Sequence, residues 1–148
     1  MNLLLQTSQS DLQAQIAITG SKSETNRLLL LQALFPNIAL ANTSNSDDSE
    51  VMQKALKGNE EIVDIHHAGT AMRFLTAYFA VNEGREVVLP GSQRMTERPI
   101  KVLVEALQQL GAQISYEKEE GSPPIRIKGQ KITPNKVSIP ANVSSQYI

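Results

Sequence analysis

The sequence predicts a mixed α/β fold. Three observations carry that expectation. Short alternating or β-branched apolar runs interleave with stretches whose apolar residues recur at helical spacing. Glycine and proline sit at the joints, at Gly20, Pro36, Gly58, Gly84, Pro90-Gly91 and Gly111. The element order that results is β-α-β-α-β-α-β-α-β-β-β, which alternates first and ends on consecutive strands.

In chain order, residues 1–13 read as a short edge strand or arm, and Ala14 to Ile18 alternates as a strand. A helix from about Ser23 to Phe35 carries four consecutive leucines, Leu28 to Leu31, so it should be buried on most sides; Pro36 ends it. Ile38 to Ala41 is a short strand. After a polar loop, Asp47-x-x-Glu50 resembles a capping box that opens a second helix, with Gly58 as its stop. Ile62 to Ile65 is a strand. Ala68-Gly69-Thr70 turns into a third helix whose core stripe is Met72, Leu75 and Phe79. Arg85 to Leu89 is the next strand. Pro99 fits a first helical position, and Ile100, Leu103, Leu107 and Leu110 continue that helix to Gly111. Gln113–Tyr116 and Ile125–Ile127 are strands around a solvated acidic turn, and Val137 to Ile139 is a last strand. Asn142 to Gln146 turns into another helix, which Ile148 cuts at its first turn. That ending reads as a fragment, because one turn of helix has neither length nor a cap.

The composition narrows the function. The chain has 148 residues, 41% of them hydrophobic and 20% charged, which suits a soluble globular domain. Fourteen basic residues against fifteen acidic give a net charge of -1, so a general nucleic-acid binder is not expected. With no cysteine, disulfides, thiolate metal sites and cysteine nucleophiles are excluded. Neither a leader peptide nor a membrane span is legible, and the expected location is the cytoplasm.

The chemistry concentrates at three junctions. At Gly20-Ser21-Lys22-Ser23-Glu24-Thr25-Asn26-Arg27, a strand meets a helix start, where amide N–H groups and the helix dipole favour an anion. Lys22, Ser23, Asn26 and Arg27 share one side of the first turns. The spacing is not that of a Walker loop. A hydroxyl at a helix start recurs at Thr70 and Ser144, and the first two junctions each carry an arginine one turn in, Arg27 and Arg73. Such repeats can converge on one cleft. A capped, solvated helix end is the competing reading of each junction taken alone. The pair His66-His67 is a poor chelate if it lies on a strand, where neighbours point to opposite faces, so no metal site is expected. Asp47-Asp48 reads as helix capping rather than acid chemistry.

Taken in order, Gly20-Ser21-Lys22-Ser23-x-x-x-Arg27, Ala68-Gly69-Thr70-Ala71-Met72-Arg73, Arg94-Met95-Thr96-Glu97-Arg98-Pro99-Ile100 and Ser144-Ser145-Gln146 resemble the motifs of the 5-enolpyruvylshikimate-3-phosphate (EPSP) synthase family. The resemblance covers essentially the whole chain. It implies a two-lobed fold of repeated β-α-β-α-β-β units, with about two units present here. Residues 20–148 would then be a partial N-terminal lobe cut at its third unit, and residues 1–19 an arm near the hinge or the other lobe. It implies transfer of the enolpyruvyl group of phosphoenolpyruvate to the 5-hydroxyl of shikimate 3-phosphate, without cofactor or metal. By the same resemblance, Lys22 and Gln146 are catalytic and touch both substrates. Ser23, Arg27, Thr70, Ser144 and Ser145 join them on shikimate 3-phosphate; Gly69, Arg73 and Arg98 join them on phosphoenolpyruvate. The remaining partner would be the C-terminal lobe of the same chain, in a full-length monomer, and the 148 residues alone would not turn over. Two positions depart from the family's habit: His67 stands where Asn is usual, and Phe74 where Pro is usual. The alternatives are a related transferase acting on UDP-N-acetylglucosamine, whose members usually carry Lys-Asn in place of Lys22-Ser23, and a non-catalytic α/β anion-binding domain.

Overall fold

The structure is a computed structural model that describes residues 3, 4, 6, 11, 13–133 and 136–139. Its elements are α1 (Lys22–Leu34), α2 (Asp47–Lys57), α3 (Gly69–Val81), β1 (Glu86–Leu89), α4 (Gln93–Thr96), α5 (Lys101–Gln109), β2 (Gln113–Tyr116) and β3 (Ile125–Lys128). The mixed α/β expectation is met.

The three strands form one antiparallel sheet in the order β1-β3-β2. The register pairs Val87 with Ile127, Leu89 with Ile125, and Ile114 with Ile127. Because side chains alternate across a strand, this register puts Val87, Leu89, Ile114, Ile125 and Ile127 on one buried face. The expected strand at 62–65 is a short parallel addition to β1, through a bridge between Ile62 and Val88. Three amide bonds hold it there: Val88 to the Glu61 carbonyl (2.7 Å), Val63 to Val88 (2.9 Å) and Ile65 to Pro90 (3.1 Å).

Helix α3 is the hub. It packs against β1, β3 and α5 on one side and against α1 and α2 on the other. Its stripe of Met72, Leu75 and Phe79 is fully buried, as the spacing predicts. Each such side chain contributes about 1.5–3 kcal/mol by leaving water.

Several elements differ from the expectation, each for a local reason. Helix α1 begins one residue early, because Ser21 takes the cap position and its hydroxyl accepts the Glu24 amide at 3.4 Å. It is not buried on most sides: Leu29 is inside, but Leu34 and Phe35 are 55% and 60% exposed. Only its face toward α2 and α3 is covered among the described residues. Helix α2 starts at Asp47 and stops at Gly58 as expected, but Ser46 is the cap and the Asp47–Glu50 box does not form. Pro99 precedes α5 instead of opening it. Ile100 is the cap residue, and its amide bonds the Gly121 carbonyl at 2.8 Å. The expected strands at 14–18, 38–41 and 137–139 are irregular. Alternation marks a surface that could be buried, but a strand needs a neighbouring strand to take its amides, and among the described residues these runs pair with none; the Ile38 amide goes back to the Phe35 carbonyl at 3.1 Å. Ile16 and Ile18 are accordingly about as exposed as side chains become, at 79% and 80%. The turn into a helix at 142–146 lies outside the described residues.

Candidate functional site

The site forms where the starts of α1, α2 and α3 meet. Gly20 brings the chain against residue 42: a Cβ there would run into the Asn42 carbonyl oxygen, so only glycine permits the approach. The Ser44 amide then donates to Thr25 Oγ1 at 2.9 Å, and the Ser49 hydroxyl to Asn26 Oδ1 at 2.7 Å. Thr25 and Asn26 are buried by these contacts, which lock the first turn of α1 beside that of α2. Lys22 is left on the open side.

Asp48 joins the three helices. Its Oδ2 lies 3.4 Å from Lys22 Nζ, and its Oδ1 accepts the amides of Thr70 (2.9 Å) and Ala71 (3.3 Å) at the start of α3. The side chain is only 14% exposed. A carboxylate of the protein therefore holds the two α3 amides that an incoming anion would otherwise take. Anion binding at this junction then rests on side chains and on the Gly69 backbone.

Those side chains converge on Gly69. Arg73 Nη1 donates to the Gly69 carbonyl at 2.8 Å, closing back over the helix start. A Cβ on Gly69 would stand 2.5 Å from Arg98 Nη1 and 3.3 Å from Arg73 Nη1. The absent side chain is what lets two guanidinium groups gather there. The resulting cleft, of about 240 Å³, is lined by Lys22, Asp48, His67, Gly69, Thr70, Arg73 and Arg98. Three permanent cations against one carboxylate make it a place for a multiply charged anion. A larger cavity of about 300 Å³ lies between α2 and the 60–66 segment, but Glu50, Glu60 and Asp64 line it, the wrong sign for such a ligand.

Of the expected site residues, the fold thus brings Lys22, Gly69, Thr70, Arg73 and Arg98 to one cleft. Ser23 and Arg27 lie beside it but do not line it. Arg27 Nη1 donates to the Ser23 carbonyl at 2.8 Å, and its guanidinium stands 5.5 Å over the ring of Phe74. Asn26, expected on the anion-facing side, is fully buried and serves as a strut. Ser144, Ser145 and Gln146 lie outside the described residues. His66 and His67 occupy a turn, not a strand, with His66 at a φ of 49°. Their rings meet edge to face at 6.2 Å. Among the described residues, no group of three or more His, Cys, Asp or Glu is placed to hold a metal ion.

Sequence reasoning missed two members of the site. Asp48 reads in the sequence as a cap for its own helix, and the Asp47-Asp48 pair as a further likeness to the family; nothing in the sequence says that Asp48 caps another helix and pairs with Lys22. His67 stands out only as a departure from a pattern. Its place on the cleft wall follows from its Nδ1 bonding the Ser92 hydroxyl at 2.9 Å.

Comparison with known proteins adds independent findings. Residues 41–148 match the family model described as EPSP synthase (3-phosphoshikimate 1-carboxyvinyltransferase). A 3-phosphoshikimate 1-carboxyvinyltransferase of Bacteroides fragilis (strain YCH46) is 47% identical over 140 residues, 94% of this chain and 34% of the relative. One from Marinomonas sp. (strain MWYL1) is 38% identical over 160 residues, 90% of this chain and 37% of the relative. Among solved structures, an EPSP synthase from Acinetobacter baumannii superposes with a TM-score of 0.71 at 21% identity, over 89% of this chain and 35% of that one. The chain spans about a third of the length of the curated relatives it matches.

Proposed function

This chain belongs to the EPSP synthase family, and from that premise we propose that it forms one wall of an active site that joins phosphoenolpyruvate to shikimate 3-phosphate. The observation that carries the proposal is the cleft of Lys22, Arg73 and Arg98 around a bare Gly69. Both substrates are multiply anionic, and the cleft offers two planar guanidinium forks and one point charge at the converging ends of three helices. In this reading Lys22 lies between the substrates. Gly69, Arg73 and Arg98 hold phosphoenolpyruvate; Ser23, Arg27 and Thr70 hold shikimate 3-phosphate, joined by Ser144, Ser145 and Gln146. The attack of the 5-hydroxyl oxygen on the enolpyruvyl carbon forms one C–O bond, and release of phosphate breaks another. The preorganised cations of the cleft stabilise the negative charge of the carboxylate and of the departing phosphate. Gln146 completes the catalytic pair with Lys22.

The larger assembly is part of the same proposal. The order of the 62–65 bridge, α3, β1, α5, β2 and β3 supports the reading of a β-α-β-α-β-β unit. Residues 20–148 are then about two units of one lobe, residues 1–19 an arm toward the hinge, and the acid–base groups belong to a second lobe of a monomeric, cytoplasmic enzyme. No helix among the described residues is long and apolar enough to cross a membrane.

Calorimetric titration with shikimate 3-phosphate tests the site. Binding is expected for the unaltered chain and not with UDP-N-acetylglucosamine. Lys22→Ala and Arg27→Ala should each weaken it about 10- to 100-fold, the worth of a charge-assisted hydrogen bond, with the circular dichroism spectrum unchanged. Preference for the UDP-sugar, or indifference to both substitutions, would sink the proposal.

A further inference from the structure

Lys22 and Arg27 both leave the start of α1, but they are held in opposite ways. Lys22 is paired with a carboxylate, since Asp48 Oδ2 lies 3.4 Å from its Nζ. Arg27 is exposed and takes part in no ion pair among the described residues. The spacing puts a carboxylate within reach, because Glu24 stands three residues before it on the same helix. Arg27 turns instead to two neutral partners. Its Nη1 donates to the Ser23 carbonyl at 2.8 Å, and its guanidinium stands 5.5 Å over the centroid of the Phe74 ring. Helices α1 and α3 pack directly against each other. Arg27 lies four residues after Ser23, and Phe74 four residues after Thr70, so cation and ring meet one turn below the two hydroxyl-bearing helix starts. The ring is half-buried and packs against the buried core, which makes it a fixed surface under a mobile side chain.

We propose that Phe74 is a positioning residue for Arg27: its ring holds the guanidinium in place beside the cleft, with its charge uncompensated, ready for a phosphate group. A guanidinium is planar and weakly hydrated, so it stacks on an aromatic face where an ammonium would stay in water. A carboxylate partner would also fix Arg27, but it would cancel the charge, and an incoming anion would have to displace it. The ring restrains the cation without neutralising it. Binding then spends less on ordering a long side chain, which is the gain of preorganisation. Phe74 touches no substrate in this account and acts only through Arg27. The inference rests on the reading of Arg27 as a residue that holds the phosphate of shikimate 3-phosphate.

Shikimate 3-phosphate and sulfate, each titrated into the full 148-residue chain, test the role by calorimetry and NMR. Phe74→Leu keeps the apolar bulk and removes the ring face; it should weaken binding about two- to fivefold, the worth of a cation–π contact at an exposed site. Phe74→Tyr keeps the face and should bind as the unaltered chain does. In an Arg27→Ala background, Phe74→Leu should cost nothing further, because a residue that acts through Arg27 has nothing left to act on. The Arg27 side-chain protons should be moved upfield by the ring current in the unaltered chain and in Phe74→Tyr, and not in Phe74→Leu. If shikimate 3-phosphate binds no better than sulfate while the sulfate series keeps this pattern, the substrate assignment falls and the positioning role stands. If shikimate 3-phosphate binds but Phe74→Leu leaves its affinity unchanged or raises it, the role falls and the substrate assignment stands. An equal loss with and without Arg27 would trace the effect to the packing of α3 and overturn the role. So would binding of neither anion, or Arg27 protons without a ring-current shift in the unaltered chain.

Discussion

Gly69 shows how a single missing side chain can set up a charged site. Arg73 and Arg98 come from different segments, and both place a guanidinium nitrogen where a Cβ would stand. Substitution by alanine should separate binding from stability. The groups in the way are the far ends of flexible side chains, so the fold can give. Alanine in a helix is also favoured over glycine by about 0.5–1 kcal/mol. Gly69→Ala is therefore expected to unfold at the same temperature or slightly above it, while its affinity for sulfate or shikimate 3-phosphate drops. Thermal unfolding and calorimetry on the same sample check this. A fall in stability with binding intact would refute the crowding account. Phe74 acts differently at this scale. The face of its ring stands under Arg27, a cation–π arrangement that restrains a long side chain before any ligand arrives.

Helix ends decide where the charges sit. Asp48 caps α3 from the first turn of α2, so one carboxylate couples three elements. Asp48→Ala is expected to cost about 1–2 kcal/mol, the usual worth of a cap, and to release Lys22 as well. Asp48→Asn keeps an acceptor oxygen for the α3 amides and should cost less. Urea unfolding of the two variants gives the comparison, and equal losses would mean that the cap is not what Asp48 contributes. At the far end of the molecule, Lys101 at the start of α5 holds Glu120 in the acidic turn at 2.6 Å, and Arg126 holds Glu117 at 2.7 Å. The hydrogen bond to Lys101 lowers the Glu120 pKa, and the same bond raises that of Lys101. A carboxyl with a lowered folded pKa contributes stability that is present above its unfolded value and lost as pH falls through the folded one. A lysine with a raised pKa contributes below its unfolded value and loses that as pH rises through the folded one. The pair should therefore stabilise the turn across the neutral range and fail in acid and in strong base. The stability gap between the unaltered chain and Glu120→Gln should be small at pH ~7 and vanish by pH ~3, below the carboxylate range.

At the scale of the whole molecule, α3 carries the fold, because it is the element shared by the sheet and the helical layer. Phe79 is 1% exposed and sits among the buried residues of both layers. Phe79→Ala is expected to destabilise by about 3–5 kcal/mol, enough to broaden or abolish a cooperative melt in a domain of ordinary stability. Leu34→Ala, on the exposed face of α1, should cost far less. Similar losses at the two positions would show that α1 is covered in solution and not only along its α2–α3 face.

The sequence by itself determined the class, the helices α1, α2, α3 and α5, the central stripe and the identity of the cationic residues. Helical spacing, glycine stops and hydroxyl-rich helix starts are local signals, and they placed α2 at Asp47, its stop at Gly58 and the core at Met72, Leu75 and Phe79. It also brought out Lys22, Gly69, Thr70, Arg73 and Arg98, which the fold gathers. The tertiary structure decided everything that depends on a neighbour. A strand exists only if another takes its amides, so the alternating run at 14–18 stayed irregular while Ile62 to Ile65 found β1. A cap can serve a helix other than its own, so Asp48 closed α3 by taking the amides of Thr70 and Ala71. The charge on each side chain is written in the chain; which charges face each other is set by distances that only packing fixes.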